Sequence, residues 1–222
     1  MLILTLDAST PIVVVALARA EGGERRVLTE ISVSNPGASD SLLPAIHAAL
    51  ELADEKLGDI ERIVAGVGPG TFTGIRIAAA TARSLAFGTG ATLAKNSTLA
   101  ALAAPALTSH SDVLAVLDAK RKQVFAQRFS DGEAGEIECM APEELAASGS
   151  PLLVGDGAIR YREALSKLGA IPPDGSPLHR VTGTGHVLSA NLEPVVSEEV
   201  VPIYVREPDA EVRKAVNPWS RP

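Results

Sequence analysis

The sequence predicts an α/β protein of two similar lobes, and three observations carry that prediction. A strand ending on an aspartate, a short turn and a second strand occur together twice, once with Asp7 and once with Asp118. The two aspartates lie 118 − 7 = 111 positions apart, half of the 222-residue chain. A strand that runs through a glycine-bearing turn into a helix also occurs twice, over residues 63–87 and 151–168. Self-similarity at half the chain length is the mark of an internal duplication. The third observation is composition. At 46% hydrophobic and 21% charged the chain can build a core, and at 3% aromatic that core must be made of Ala, Val, Leu and Ile.

The elements follow in order. Residues 2–7 read as a buried strand, Ser9-Thr10-Pro11 as a turn, and residues 12–18 as a second strand that Gly22-Gly23 ends. Residues 27–33 alternate weakly and read as a third strand. Asn35-Pro36-Gly37 breaks the pattern. Ser39 and Asp40 are the expected caps of a helix in which Leu42, Leu43, Ile46, Leu50 and Ala53 recur at helical spacing. Pro44 is placed in the first turn, where proline is tolerated, and Gly58 is the expected stop. Residues 60–67 read as a strand. Gly66-Val67-Gly68-Pro69-Gly70-Thr71-Phe72-Thr73-Gly74 then forms a stiff turn, with Thr71 or Thr73 as cap, into an alanine-rich helix through Phe87. Asn96 and Ser97 cap a third helix over residues 98–104, which Pro105 is expected to end. In the second half, residues 113–117 form a strand that ends on Asp118. Lys120-Arg121-Lys122 is a charged turn, residues 124–129 return, and Asp131-Gly132 turns again. Residues 151–154 are a strand, and Gly155-Asp156-Gly157 opens a helix with Tyr161, Leu165 and Leu168. Residues 200–205 read as a strand or extended arm. The expected division is a first lobe over residues 1–108, a second over 109–206, and an extended or disordered tail over 207–222.

Several classes of function are disfavoured. The net charge of −7 argues against a strong free-standing affinity for a phosphate backbone. One cysteine, Cys139, cannot form an internal disulfide, which suits a reducing compartment. The start meets Asp7 before any basic segment and reads as a strand rather than a signal peptide. No apolar run approaches the roughly 20 residues that span a bilayer, so the expectation is a cytoplasmic protein. His47, His110, His179 and His186 include no pair at helical metal-ligand spacing, and no metal site is expected. Neither a Gly-x-Ser-x-Gly turn nor a Ser–His pairing is evident.

Three features invite a functional reading. Asp7 ends its strand with Ser9 and Thr10 beyond it, and Asp118 ends the matching strand. Each carboxylate could hold a metal–phosphate in a nucleotide cleft, or could bond the backbone of its own turn. The glycine-rich turn lacks the spacing of either common phosphate-binding loop, because Ile75 follows Gly74 and threonines stand at 71 and 73. It reads as a tight strand-to-helix connection. The helix after it is small or apolar on nearly every side. Ala78, Ala82 and Ala86 recur on one side, and Arg76, Ala80 and Arg83 on another. A helix apolar all round needs cover on more than one side, which points to an interface.

Asp7-Ala8-Ser9-Thr10, Ser39-Asp40-Ser41-Leu42-Leu43-Pro44, the run Gly68-Pro69-Gly70-Thr71-Phe72-Thr73-Gly74-Ile75-Arg76-Ile77 and Leu117-Asp118-Ala119-Lys120-Arg121 resemble the bacterial TsaB (YeaZ) family. Tyr204-Val205-Arg206-Glu207-Pro208-Asp209-Ala210 is similar to its C-terminal signature. The chain departs from the family at Ala38 and at Asn96-Ser97-Thr98-Leu99. The resemblance implies the actin/Hsp70/sugar-kinase-like (ribonuclease-H-like) fold of two duplicated lobes. It implies a non-catalytic role, with no cofactor, in making threonylcarbamoyladenosine at position 37 of tRNAs. The partners implied are a TsaD-like transferase, a TsaE-like ATPase and, for the isolated chain, a second copy of itself, with tRNA reached indirectly. The interface carries over onto Leu42, Leu43, Ile46, Ile75, Arg76, Ala79, Ala80 and Arg83. Asp7, Ser9, Thr10, Asp118, Gly155 and Gly157 become a vestigial nucleotide cleft with no catalytic residue. The rival readings are an ATP-dependent phosphotransferase working between Asp7 and Asp118, and a peptidase.

Overall fold

The computed structural model describes residues 1–34 and 37–205. Strand β1 (Leu2–Asp7) is buried along its whole length, as a near-continuous apolar run requires when both faces of a sheet are covered. It pairs antiparallel with β2 (Ile12–Glu21), which pairs antiparallel with β3 (Glu24–Ser34). Helix α1 (Ala38–Ala53) leads to β4 (Arg62–Gly66), parallel to β1, and α2 (Phe72–Thr89) leads to β5 (Thr92–Asn96), parallel to β4. The first sheet therefore runs β3-β2-β1-β4-β5. Helix α3 (Thr98–Leu107) crosses to the second sheet.

That sheet repeats the plan. Strands β6 (Asp112–Lys120) and β7 (Gln123–Ser130) form the hairpin that β1 and β2 form in the first. The short strands β8 (Glu133–Ala134) and β9 (Glu138–Met140) pair with β7, and β10 (Leu152–Val154) runs parallel to β6 as β4 does to β1. Then come α4 (Asp156–Arg160), α5 (Arg162–Leu165) and α6 (Gly183–Ser189). An antiparallel meander extended by a parallel strand, occurring twice, is the duplicated ribonuclease-H-like plan expected from the sequence.

The helices sort into layers. On one face of the first sheet, Leu2, Leu4 and Leu6 pack on Ala45, Ile46 and Ala49 of α1 and on Ala78, Ala79, Ala82 and Ala86 of α2. Between the sheets, Leu99, Leu102 and Ala106 of α3 meet Val14 on one side and Val113, Ala115 and Leu117 on the other. Beyond the second sheet, Ala158 and Leu165 cover Leu114 and Val116. Helix α6 returns to the first sheet, where Val187 packs on Ala16 and Ala18. The chain after it stays there: Val195 bridges to Leu93, Val200 is buried in the first core, and the Ile203 amide donates to the Val67 carbonyl at 2.8 Å. Among the described residues, no helix is long and apolar enough to cross a membrane.

Several expected boundaries move. Helix α1 starts at Ala38 with Gly37 in the cap position, so Ser39 and Asp40 lie inside its first turn. It ends at Ala53 on Asp54, which adopts a left-handed conformation (φ 54°), and Gly58 sits in a separate 3₁₀ turn, Leu57–Asp59. Pro44 lies inside α1, exposed to solvent, and Pro105 lies inside α3, which continues to Leu107. Each proline removes one hydrogen bond, and the apolar faces around it keep the helix packed. Residues 200–205 are an extended arm rather than a strand. Asn35, Pro36, residues 206–210 of the C-terminal signature and the tail over 207–222 lie outside the described residues.

Candidate functional site

Asp7 stands at the end of β1, 1% exposed, and both its oxygens are engaged. Oδ1 accepts the Ser9 amide at 2.6 Å, which holds the turn after the strand. Oδ2 accepts the Thr98 hydroxyl at 2.7 Å and His186 Nε2 at 2.9 Å. The proton on His186 is fixed by its other neighbour. The Asn96 side-chain nitrogen can only donate, and it donates to Nδ1 at 3.1 Å and to the Ser189 hydroxyl at 2.7 Å. Nε2 therefore carries the hydrogen that meets Asp7. Ser9 completes the network through its hydroxyl, 2.8 Å from that of Thr98. Burial alone pushes the Asp7 carboxyl up, but the hydrogen bond from His186 and the bonds from Ser9 outweigh it. The group lies below the ordinary carboxylate value. Of the two readings of Asp7, the bond to its own turn is present, and its other oxygen is taken by Thr98 and His186.

His186 and Thr98 are the residues that sequence reasoning missed. They lie 179 and 91 positions from Asp7. One local signal does exist. Gly183 and Gly185 flank Thr184 just before His186. A Cβ on Gly183 would lie 2.5 Å from Ala16 Cβ, and one on Gly185 2.1 Å from the Ala101 carbonyl. Such glycines mark a helix that must come close.

Thr10 bonds locally, its hydroxyl donating to the Ile12 carbonyl at 2.9 Å. Asp118 faces the second-lobe counterpart of this site with a different set of partners. Lys120 Nζ lies 2.8 Å and Arg160 3.3 Å from its Oδ2. Burial raises its carboxyl, Lys120 and Arg160 lower it further, and it too lies below the usual value. Burial pushes the neighbouring Asp156 the other way, which the Asp118 amide bond at 3.0 Å only partly offsets. Gly155 and Gly157 are packing glycines. A Cβ on Gly155 would lie 2.1 Å from the Val116 carbonyl, and one on Gly157 2.9 Å from the Leu117 carbonyl carbon. His179, also buried, accepts the Gly155 amide at Nδ1 and faces the Pro172 carbonyl through Nε2.

The glycine-rich turn is explained in the same way. A Cβ on Gly66 would lie 2.3 Å from the Asp7 side chain, on Gly70 2.2 Å from the Ser9 carbonyl, and on Gly74 1.8 Å from the Ala8 carbonyl. The Thr71 amide donates to the Ser9 carbonyl at 2.6 Å. The missing side chains admit the Asp7-Ala8-Ser9 backbone, and the turn is closed by protein on that side. Thr71 occupies the cap position of α2 through its backbone. Among the described residues, no group of three His, Cys, Asp or Glu could hold a metal ion.

The second candidate surface is the outer side of α2. Leu42, Ile46, Ile75 and Ala79, four of the expected interface residues, are buried in the chain's own core at 5% exposure or less. Gly74, Ala78, Ala82 and Ala86 share that inward side. The other four, Leu43, Arg76, Ala80 and Arg83, are exposed. On α2 they fall in one stripe with Phe72 and Phe87, which is 94% exposed, while Leu43 on α1 is 56% exposed. The stripe is partly ordered by the C-terminal arm. Arg76 lies 3.6 Å over the Phe72 ring and donates to the Tyr204 hydroxyl at 2.7 Å, and Arg83 donates to Ser197 at 3.0 Å.

A family model described as TsaD, tRNA N6-adenosine threonylcarbamoyltransferase, matches residues 33–149. An uncharacterized protein of Mycobacterium tuberculosis is 30% identical over 215 residues, 94% of this chain and 93% of that one. The tRNA threonylcarbamoyladenosine biosynthesis protein TsaB of Escherichia coli is 28% identical over 182 residues, 74% of this chain and 79% of its own length. The solved structure of YeaZ from Pseudomonas aeruginosa matches with a TM-score of 0.74 at 27% identity, covering 91% of this chain and 100% of that one.

Proposed function

The chain belongs to the TsaB (YeaZ) family, and from that premise we propose that it is the non-catalytic partner of a TsaD-like transferase in forming threonylcarbamoyladenosine on tRNA. The observation that carries this reading is the outer stripe of α2. An aromatic side chain as exposed as Phe87, in line with Phe72 on the same helix, is what a chain keeps when another protein covers it, and Leu43 on α1 is exposed as well. Ala80 sits in the middle of the stripe, where a small side chain lets a second helix come close. A TsaE-like ATPase and a second copy of this chain are further occupants on this reading.

The interior supports the non-catalytic role. A phosphotransferase would need Asp7 open to a metal–phosphate, and its oxygens are bonded to Ser9, Thr98 and His186. The four histidines are spent separately: His179 and His186 on buried bonds, His47 on Glu51 and His110 on Ser109 at the surface.

Co-elution tests the proposal. The chain and a TsaD-like subunit should elute as one species, and Ala80→Glu should split it. Ala80 is exposed, with Arg76 and Arg83 one turn away on either side, so the variant chain stays folded. The two arginines compensate the new charge, so the loss comes from its bulk where Ala80 lets a second helix close in, about 1 to 3 kcal/mol or roughly 5- to 150-fold in affinity. Wild-type affinity in the Ala80→Glu variant would refute the assignment of this face.

A further inference from the structure

Helix α2 carries two charged residues, Arg76 and Arg83, and no acid. Both are exposed, and among the described residues neither forms an ion pair. Each is nevertheless held in place. The chain from Val195 to Tyr204 runs along α2 in the opposite direction. It is fastened to the first sheet by the Val195 amide on the Leu93 carbonyl, by buried Val200, and by the Ile203 amide on the Val67 carbonyl. From this track the Tyr204 hydroxyl accepts the Nε hydrogen of Arg76, and the Ser197 hydroxyl accepts that of Arg83. The Arg76 guanidinium also stands 3.6 Å from the Phe72 ring centre, and Phe72 lies 5.5 Å from the Tyr204 ring. The Nε–H of each arginine is thus spent on the arm, while the Nη groups bond nothing among the described residues.

Pinning a long side chain costs rotamer freedom, and here the pinning neutralises no charge. What it gains is order in advance of binding, so that a partner need not supply it. A guanidinium with its Nη groups open matches a carboxylate through two parallel hydrogen bonds. Arg76 and Arg83 lie seven residues apart, two helical turns or about 10.5 Å along the axis. Ala80 stands between them, small enough for a second backbone to come close. Around them Phe72, Phe87, Val196, Val201 and Tyr204 are exposed. Apolar surroundings and a small central residue suit a protein surface rather than a phosphate chain. Two fixed cations at this spacing, in a chain of net charge −7, suit a helix that carries an acid every second turn.

We propose that the surface of the transferase subunit that covers α2 presents two carboxylates two helical turns apart, one to each arginine, and that Tyr204 and Ser197 position the arginines to receive them. The inference rests on the proposed partnership and adds to it the chemistry of the surface that is met. The test measures the affinity of the full chain for the TsaD-like subunit, first without RNA, over a range of salt. Three proteins are compared: wild type, Arg76→Gln with Arg83→Gln, and Tyr204→Phe. All three positions are exposed, so each variant should melt close to wild type. The glutamine pair should bind roughly 100-fold more weakly at about 0.1 M salt and lose most of the wild-type salt dependence. Tyr204→Phe keeps the ring and both charges and releases one guanidinium. It should bind roughly 2- to 10-fold more weakly, the cost of ordering one side chain on binding, with the salt dependence kept. Wild-type affinity in the glutamine pair would overturn the inference and leave the partnership standing. Weaker binding with unaltered salt dependence in that pair would overturn it in favour of plain packing. A glutamine pair that keeps the subunit but loses tRNA from the assembled complex would overturn it in favour of phosphate. Wild-type affinity in Tyr204→Phe would overturn the positioning role. Should no wild-type complex form, the partnership fails and the inference with it.

Discussion

Two glycines on the same helix should respond to alanine with opposite signs. A Cβ added at Gly88, near the end of α2, would meet nothing within 4 Å, whereas one added at Gly74, in the first turn, would lie 1.8 Å from the Ala8 carbonyl oxygen. Helix propensity favours alanine at both, by roughly 0.5 to 1 kcal/mol. At Gly88 nothing opposes this, and the melting temperature should rise by about 2 °C. At Gly74 the backbones must part by 3.0 − 1.8 = 1.2 Å to reach the closest spacing that real contacts tolerate. The atom in the way belongs to buried main chain, so the upper end of the overpacking range applies, about 3 kcal/mol. The net expectation for Gly74→Ala is a loss of about 2 kcal/mol, or about 4 to 8 °C in a chain of this size. Urea and thermal unfolding of the two single variants decide the matter. A Gly74→Ala chain as stable as Gly88→Ala would refute the view that this turn is shaped to admit the Asp7-Ala8-Ser9 backbone.

The acid limb of stability should depend on Asp7. Its folded pKa lies below the ordinary value of 3.8, so its contribution is complete above that value and is lost as pH falls through the lower folded pKa. Asp7→Asn should therefore flatten the fall in stability below about pH 4 and lower stability at about pH 7 by about 1 to 3 kcal/mol. Asp118 acts in the same direction, and Asp156, whose carboxyl is raised, acts against both; an unchanged acid limb in Asp7→Asn would contradict the buried network. Calorimetric titration with ATP and magnesium should give no saturable heat, because the Asp7 oxygens are already bonded. Micromolar binding with turnover of a small acceptor would favour the phosphotransferase reading instead.

Strands were legible wherever burial imposed one pattern. The run Leu2-Ile3-Leu4 has a covered sheet face on either side, so no alternation was needed to recognise it. The duplication was legible because Asp7 and Asp118 sit near the ends of matching strands, although β6 runs two residues past Asp118, to Lys120, where Asp7 is the last residue of β1. Helix ends were less so: Pro105 carries a local penalty that packing overrides, and α1 stops on the left-handed Asp54 before it reaches Gly58. Which of the eight expected interface residues reach the surface was not legible, for a geometric reason. Alanine-rich α2 offers the same small side chains all round, and only contact with the first sheet decides that Ala79 faces inward while Ala80 faces water. The His186–Asp7 bond joins two ends of the chain that no spacing rule connects.

Thiol labelling tests most directly whether a partner covers the outer side of α2. With Cys139 replaced by Ser, Ala80→Cys and, on the far side of the second lobe, Glu163→Cys would each be alkylated with and without saturating TsaD-like subunit. Both positions are exposed in the free chain. The expected result is at least tenfold protection at Ala80→Cys and none at Glu163→Cys. An assembled complex in which Ala80→Cys reacts as fast as in the free chain would contradict it.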